Sequence, residues 1–94
     1  MASTQVQIVN KRGLHARASA KFVALAGTFD AEILVSSLEE DAPGDKVCGT
    51  SIMGLMMLAA AIGHTIQIEA SGNQSEEAVS ALCALVDDKF GEGD

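Results

Sequence analysis

Residues 65–70, TIQIEA, alternate without a fault: Ile66, Ile68 and Ala70 fall on one side of an extended chain, Gln67 and Glu69 on the other. Side chains along a strand point to opposite faces with a period of two, so this segment specifies a sheet buried on one face and wet on the other. Residues 4–9 repeat the pattern, with Val6 and Ile8 opposite Gln5 and Gln7. Shorter apolar runs at residues 33–36 and 46–48 read as two further strands.

A one-sided sheet needs helices on its apolar face, and the spacing provides three. Residues 16–26 place Ala18, Phe22, Leu25 and Ala26 inward and Arg17 and Lys21 toward water, with Gly27 suited to a left-handed closing residue. Residues 51–60 form a short helix capped by Ser51, with Leu55 and Leu58 inward and Met57 as core filling. Ser75 caps a last helix running to about Phe90, with Glu76 and Glu77 in its first turn, where negative charge is favoured. That helix buries Val79, Leu82, Val86 and Phe90, and its tail GEGD frays.

The order is β-α-β-β-α-β-α. A right-handed strand–helix–strand unit makes strands one and two parallel, and the fourth strand fits between them, antiparallel to both. Strands two and three form a hairpin across SLEEDAPGD, residues 37–45, long and acidic for such a turn. The architecture is α+β: an open-faced β-sandwich, a four-stranded antiparallel-type sheet with three helices on one face. Ninety-four residues fit one domain, residues 1–94, with an aliphatic core whose only aromatics are Phe22, Phe29 and Phe90.

Several classes are set aside. No apolar run reaches the roughly 20 residues of a membrane span, and residues 52–62 are interrupted by Gly54. The first residues lack a signal-peptide layout, so the expected location is the cytoplasm. Cys48 and Cys83 lack metal-ligand spacing and read as reduced, structural thiols. A net charge of −7 argues against nucleic acid as a partner. The charge is nevertheless divided. Lys11, Arg12, Arg17 and Lys21 precede the first acid, Asp30, whereas the remainder carries all thirteen acids against Lys46 and Lys89. A solvated surface explains such a run in general; here the basic residues surround His15.

His15 falls where the first helix begins. As its N-cap it lies beside backbone N–H groups of Ala16 and Arg17 that have no intrahelical acceptor. A phosphoryl group on the ring would meet those N–H groups and the Arg17 guanidinium. Gly13 permits the sharp turn into the cap, and Leu14 packs inward to fix the entry angle. The alternative is an indifferent cap, although histidine is a poor one beside Ser, Thr, Asp or Asn.

The stretch GLHARASAKF resembles the phosphorylation-site signature of the HPr family, the histidine-containing phosphocarriers of the bacterial phosphoenolpyruvate-dependent phosphotransferase system. SIMGLMMLAA, residues 51–60, is similar to that family's regulatory-serine helix, and the fold reading fits the family over essentially the whole chain. The resemblance implies a monomeric carrier, without its own small-molecule pocket, cofactor or metal. His15 would accept a phosphoryl group on Nδ1 from phospho-Enzyme I and pass it to an EIIA-type protein, with Arg17 steadying it. Ser51 would be the target of an HPr kinase/phosphorylase. Docking would use Ala20 and Ala24, which leave low relief, together with Ile52, Met53 and Met56, whose thioethers adapt to several partners.

The chain departs from the family at three places. Ala18 stands where proline is common, Thr50 where lysine is common, and the 37–45 hairpin is longer than usual. RAS together with SIMGLMMLAA resembles the nitrogen-type, regulatory branch, with sugar transport the alternative. Two other classes stay open at this point. A ligand-sensing α+β module would need a pocket on the open sheet face, where Gln5, Gln7, Gln67 and Glu69 look solvated. A metal-handling domain would need His15, Cys48 and His64 to converge, and His64, after Gly63, reads as a surface residue at a turn.

Overall fold

The computed structural model describes residues 2–38, 46–58 and 61–91. Its elements are β1 (Ala2–Gln7), α1 (Ala16–Ala26), β2 (Glu32–Ser37), β3 (Val47–Cys48), α2 (Ile52–Met57), β4 (Thr65–Ser71) and α3 (Ser75–Asp87), followed by a 3-10 turn at Lys89–Gly91. The sheet order is β1-β4-β2-β3. β4 is antiparallel to β1 and β2, and β3 is antiparallel to β2. The alternating segment at residues 65–70 thus becomes a central strand hydrogen-bonded on both sides.

Register follows from burial. Val6 lies opposite Ile66 and Ala2 opposite Ala70, while Val35 and Ile33 on β2 meet Ile68 and Ala70. A slip of one residue would turn every one of these side chains to water. Over that face α3 packs on β1 and β4, α1 packs on α2 and α3, and α2 reaches β3. Phe22, Leu55, Leu82, Val86 and Phe90 are fully buried in one core with Ile8, Ile66 and Ile68. Lys46, just before β3, and Glu69 of β4 form an ion pair at 3.0 Å.

Tertiary contacts reset several boundaries. β1 covers residues 2–7 rather than 4–9, because Ile8 leaves the strand ladder for the turn before β4. Its N–H donates to the His64 carbonyl at 2.8 Å and its carbonyl accepts from Gly63 N–H at 2.8 Å. Gly27 closes α1 in right-handed conformation, φ −69°, not left-handed. The chain leaves instead through successive turns, Thr28 N–H to Leu25 O and Phe29 N–H to Ala26 O. Leu25 is only partly buried, and Ser19 joins Ala18, Phe22 and Ala26 as the buried positions of α1.

Ser75 lies inside α3, and Gln74 holds the N-cap position. Gln74 is fixed there from outside: its Oε1 accepts from Asp30 N–H at 2.7 Å and its own N–H donates to Asp30 O at 3.0 Å. α3 ends at Asp87, and Lys89 and Phe90 then turn left-handed, with φ of 56° and 55°. The turn drives the Phe90 ring into the core, and Lys21 Nζ donates to the Phe90 carbonyl at 2.7 Å. Met57 is 74% exposed and is not core filling. Cys48 is exposed on the edge strand rather than a buried structural thiol; Cys83 lies partly against the core. Most of the acidic hairpin, the end of the 51–60 helix and the last three residues lie outside the described residues.

Candidate functional site

The segment 10–15 lies between β1 and α1 and folds as a tight turn in which Asn10, Gly13 and Leu14 are buried and Lys11 and Arg12 are exposed. Gly13 N–H donates to the Asn10 carbonyl at 3.2 Å, and Asn10 Nδ2 donates back to the Gly13 carbonyl at 2.9 Å. Gly13 has φ +64°, a conformation that costs a residue with a Cβ but not glycine. Leu14 then drops into the core, inward as expected.

His15 is the N-cap of α1, extended at φ −75° and ψ 178°, and it makes no side-chain capping hydrogen bond. Its carbonyl accepts the Ser19 N–H at 2.8 Å, the first bond of the helix. His15 as a whole is half-buried. Ala16 and Arg17 are the first two residues of α1 and are exposed, as are Lys11, Arg12 and Lys21. The helix start thus combines backbone donors and a positive helix end with Arg17 in its first turn, an environment suited to an anionic phosphoryl group, whereas the Lys21 ammonium is held at the Phe90 carbonyl.

The second predicted centre is Ser51, which caps α2 and accepts the Gly54 N–H on its hydroxyl at 3.0 Å. Ile52, Met53 and Met56 are exposed, Met53 to 70%. Ala20 and Ala24 are exposed on α1, which packs directly against α2. The fold therefore brings the helix carrying His15 and the helix capped by Ser51 side by side, and both present small or flexible apolar groups to solvent.

His64 is half-buried, and its Nδ1 accepts the Ala61 N–H at 3.2 Å within its turn. Among the described residues no group of three or more His, Cys, Asp or Glu side chains could hold a metal ion. A groove at the end of α3, lined by Asp87, Asp88, Lys89 and Gly91, contains none of the predicted site residues. Among the described residues no helix is long and apolar enough to cross a membrane. Asn10 and Ser19, fully buried on either side of His15 in sequence, escaped the reading of the sequence, since both types are usual in turns and on surfaces.

Comparison with known proteins agrees with this geometry. A family model described as the PTS HPr component phosphorylation site matches residues 2–88. The chain is 48% identical to the phosphocarrier protein HPr of Cupriavidus necator over 94 residues, the whole of both chains. It is 46% identical over 88 residues to the phosphocarrier protein NPr of Shewanella violacea, covering 94% of this chain and 91% of that one. The crystal structure of HPr-C-His from Thermoanaerobacter tengcongensis superposes with a TM-score of 0.86 at 42% identity, covering 98% of each chain. An open-faced α+β sandwich matched over this length defines a phosphocarrier of the phosphotransferase system. The chain belongs to the HPr family, within which it resembles proteins named HPr and proteins named NPr to similar degrees.

Proposed function

We propose that His15 is the phosphoryl acceptor and that Arg17 and the Ala16 and Arg17 amides hold the transferred group. The observation that carries this reading is the N-cap position of His15, directly ahead of the exposed first-turn residues Ala16 and Arg17. Histidine is a poor N-cap beside Ser, Thr, Asp or Asn, whereas a nucleophile at a helix start has its anion site built in.

In the proposed cycle, the Nδ1 lone pair attacks phosphorus of phospho-Enzyme I as the bond to the donor nitrogen breaks. The other ring nitrogen keeps its proton. The group then leaves for an EIIA-type acceptor by the reverse displacement. Arg17 contributes charge-assisted hydrogen bonds to the phosphoryl oxygens, and the first helical amides receive the negative charge. The protein is a reactant in both steps and not an enzyme. It acts as a cytoplasmic monomer that docks through Ala20, Ala24, Ile52, Met53 and Met56.

Ser51 is the proposed regulatory site. A phosphate there sets about two negative charges beside Ile52 and Met53 and so opposes docking. The RAS and SIMGLMMLAA motifs favour the regulatory branch over sugar transport. The test is incubation with a cognate Enzyme I and phosphoenolpyruvate. The expected product is an acid-labile, alkali-stable phosphate mapped to His15 and lost in His15→Ala. Absence of that label sinks the reading. Offering the labelled protein to nitrogen-type and sugar-type EIIA proteins then separates the two branches.

A further inference from the structure

Two polar side chains, Asn10 and Ser19, are excluded from water altogether beside the proposed phosphoryl site. Burying an amide or a hydroxyl is unfavourable unless it is hydrogen-bonded, and alanine would serve the apolar face of α1 at residue 19 at least as well. What they bond is specific. Asn10 Nδ2 donates to the Gly13 carbonyl at 2.9 Å, and Ser19 Oγ donates to the Leu14 carbonyl at 3.2 Å. The two carbonyls are consecutive and immediately precede His15.

A serine inside a helix ordinarily turns its hydroxyl to the carbonyl four residues back. For Ser19 that carbonyl belongs to His15, and it already takes the Ser19 N–H at 2.8 Å. The hydroxyl reaches one residue further instead. Ser19 therefore holds the peptide groups on both sides of His15: its amide fixes the His15 carbonyl and its hydroxyl the Leu14 carbonyl. Because a peptide group is planar, the Leu14 carbonyl shares its plane with the His15 nitrogen. Fixing that plane fixes the axis about which His15 is extended. Asn10 does the same for the preceding plane, where Gly13 sits at φ +64° and would otherwise have wide freedom.

We infer that Asn10 and Ser19 are positioning residues for phosphoryl transfer, a buried two-point clamp on the backbone entering His15. This rests on the reading of His15 as the phosphoryl acceptor. The clamp matters because the imidazole must meet its donor and acceptor partners at in-line geometry, and misplacement by about 1 Å costs on the order of a hundredfold in rate. Ala18 imposes no ring constraint on the first turn of α1, so the orientation must come from elsewhere, and the Ser19 hydroxyl is placed to give it.

The test compares two hydroxyl deletions on the same stretch of chain. Ser19→Ala removes the clamp at the start of α1. Thr28→Ala removes a similar bond just beyond its end, Thr28 Oγ1 to the Leu25 carbonyl at 2.7 Å. Alanine is a strong helix former, so Ser19→Ala retains the helix. Phosphorylation by Enzyme I is followed at a temperature where circular dichroism shows both variants folded, and imidazole nitrogen shifts of His15 are recorded on the unphosphorylated proteins. Ser19→Ala is expected to slow phosphorylation about tenfold and shift the His15 ring signals, with Asn10→Ala acting in the same direction. Thr28→Ala is expected to leave both readouts at the parent values. Parent-like rate and ring signals in Ser19→Ala, or an equal deficit in Thr28→Ala, overturn the clamp. Phosphate mapped to a residue other than His15 overturns the acceptor reading instead, and the ring signals of the unphosphorylated protein report on the clamp independently of it.

Discussion

The Gly54 N–H donates to the Ser51 hydroxyl across 3.0 Å, and the Leu55 N–H donates to the Ser51 carbonyl at 3.0 Å, so one serine starts the whole of α2. The close approach depends on glycine. A Cβ at residue 54 would lie 3.1 Å from Val47 Cβ and 3.2 Å from Ser51 Oγ, tight enough to push the helix start away from β3.

Ser51→Ala removes the cap and is expected to cost about 1 kcal/mol, read from the midpoint of a denaturant titration. Ser51→Asp keeps an acceptor for the Gly54 amide and is expected to hold stability to within a few tenths of a kcal/mol of the parent. It also sets a negative charge beside exposed Ile52 and Met53. The two variants should therefore separate: alanine lowers stability with near-parent phosphorylation, aspartate slows phosphorylation at near-parent stability. Slowing by alanine alone would argue that helix fraying, not charge, governs docking.

Arg17 is exposed in the first turn of α1 and lies outside the core, so its loss removes charge without opening a cavity. A charge-assisted bond to a phosphoryl oxygen at an exposed site contributes about 1.5 kcal/mol, so Arg17→Ala should slow transfer roughly tenfold. Arg17→Lys should recover part of the rate, since it restores the charge but not the planar fork. Unchanged single-turnover rates in Arg17→Ala would remove this residue from the site.

How far the sequence discloses the molecule depends on whether a residue's role is local. β4 was legible because both faces of a central strand are written into its own alternation. The start of α1 was legible because Gly13, Leu14 and His15 each act through their own backbone or side chain. Residues governed by distant partners were not. Gln74 takes the N-cap position of α3 without a side-chain cap bond, its side chain being held instead by Asp30, 44 positions away. Ile8 leaves the strand ladder because residues 63 and 64 turn toward it. Phe90 lies inward, as its periodicity implied, but by a left-handed turn that the pattern does not encode. Asn10 and Ser19 look like ordinary turn and surface residues until their burial is seen.

Gly13→Ala probes the turn rather than the chemistry. A Cβ at φ +64° is strained by about 1–2 kcal/mol, and the side chain would have to fit a buried position between Asn10 and Leu14. The expected outcome is a lower unfolding midpoint accompanied by slower phosphorylation, because relief of the strain must move His15. Full phosphorylation with reduced stability would show that the turn and the ring are uncoupled.

The two thiols should differ in reactivity for reasons that can be assigned. Burial raises the pKa of Cys83 above the ordinary thiol value, and the Asp87 carboxylate, with Oδ2 4.0 Å from its Sγ, raises it further; a hydrogen bond with Thr4 opposes both. Cys48 is exposed on the edge strand β3. Since the thiolate is the nucleophile, iodoacetamide at about pH 8 is expected to label Cys48 well before Cys83, as read by mass spectrometry of the folded protein. The sign of the linked stability follows. The fold favours protonated Cys83, so the unfolded chain gives up this proton at lower pH than the native one. Its contribution is therefore complete below the ordinary thiol range and is lost as pH rises through the raised native value. Asp87→Asn removes one of the two raising influences. It should quicken Cys83 labelling and lessen the alkaline loss of stability, while leaving Cys48 labelling at the parent rate. Equal labelling of the two cysteines in the parent would show that the α3 surface opens faster than the thiol reacts.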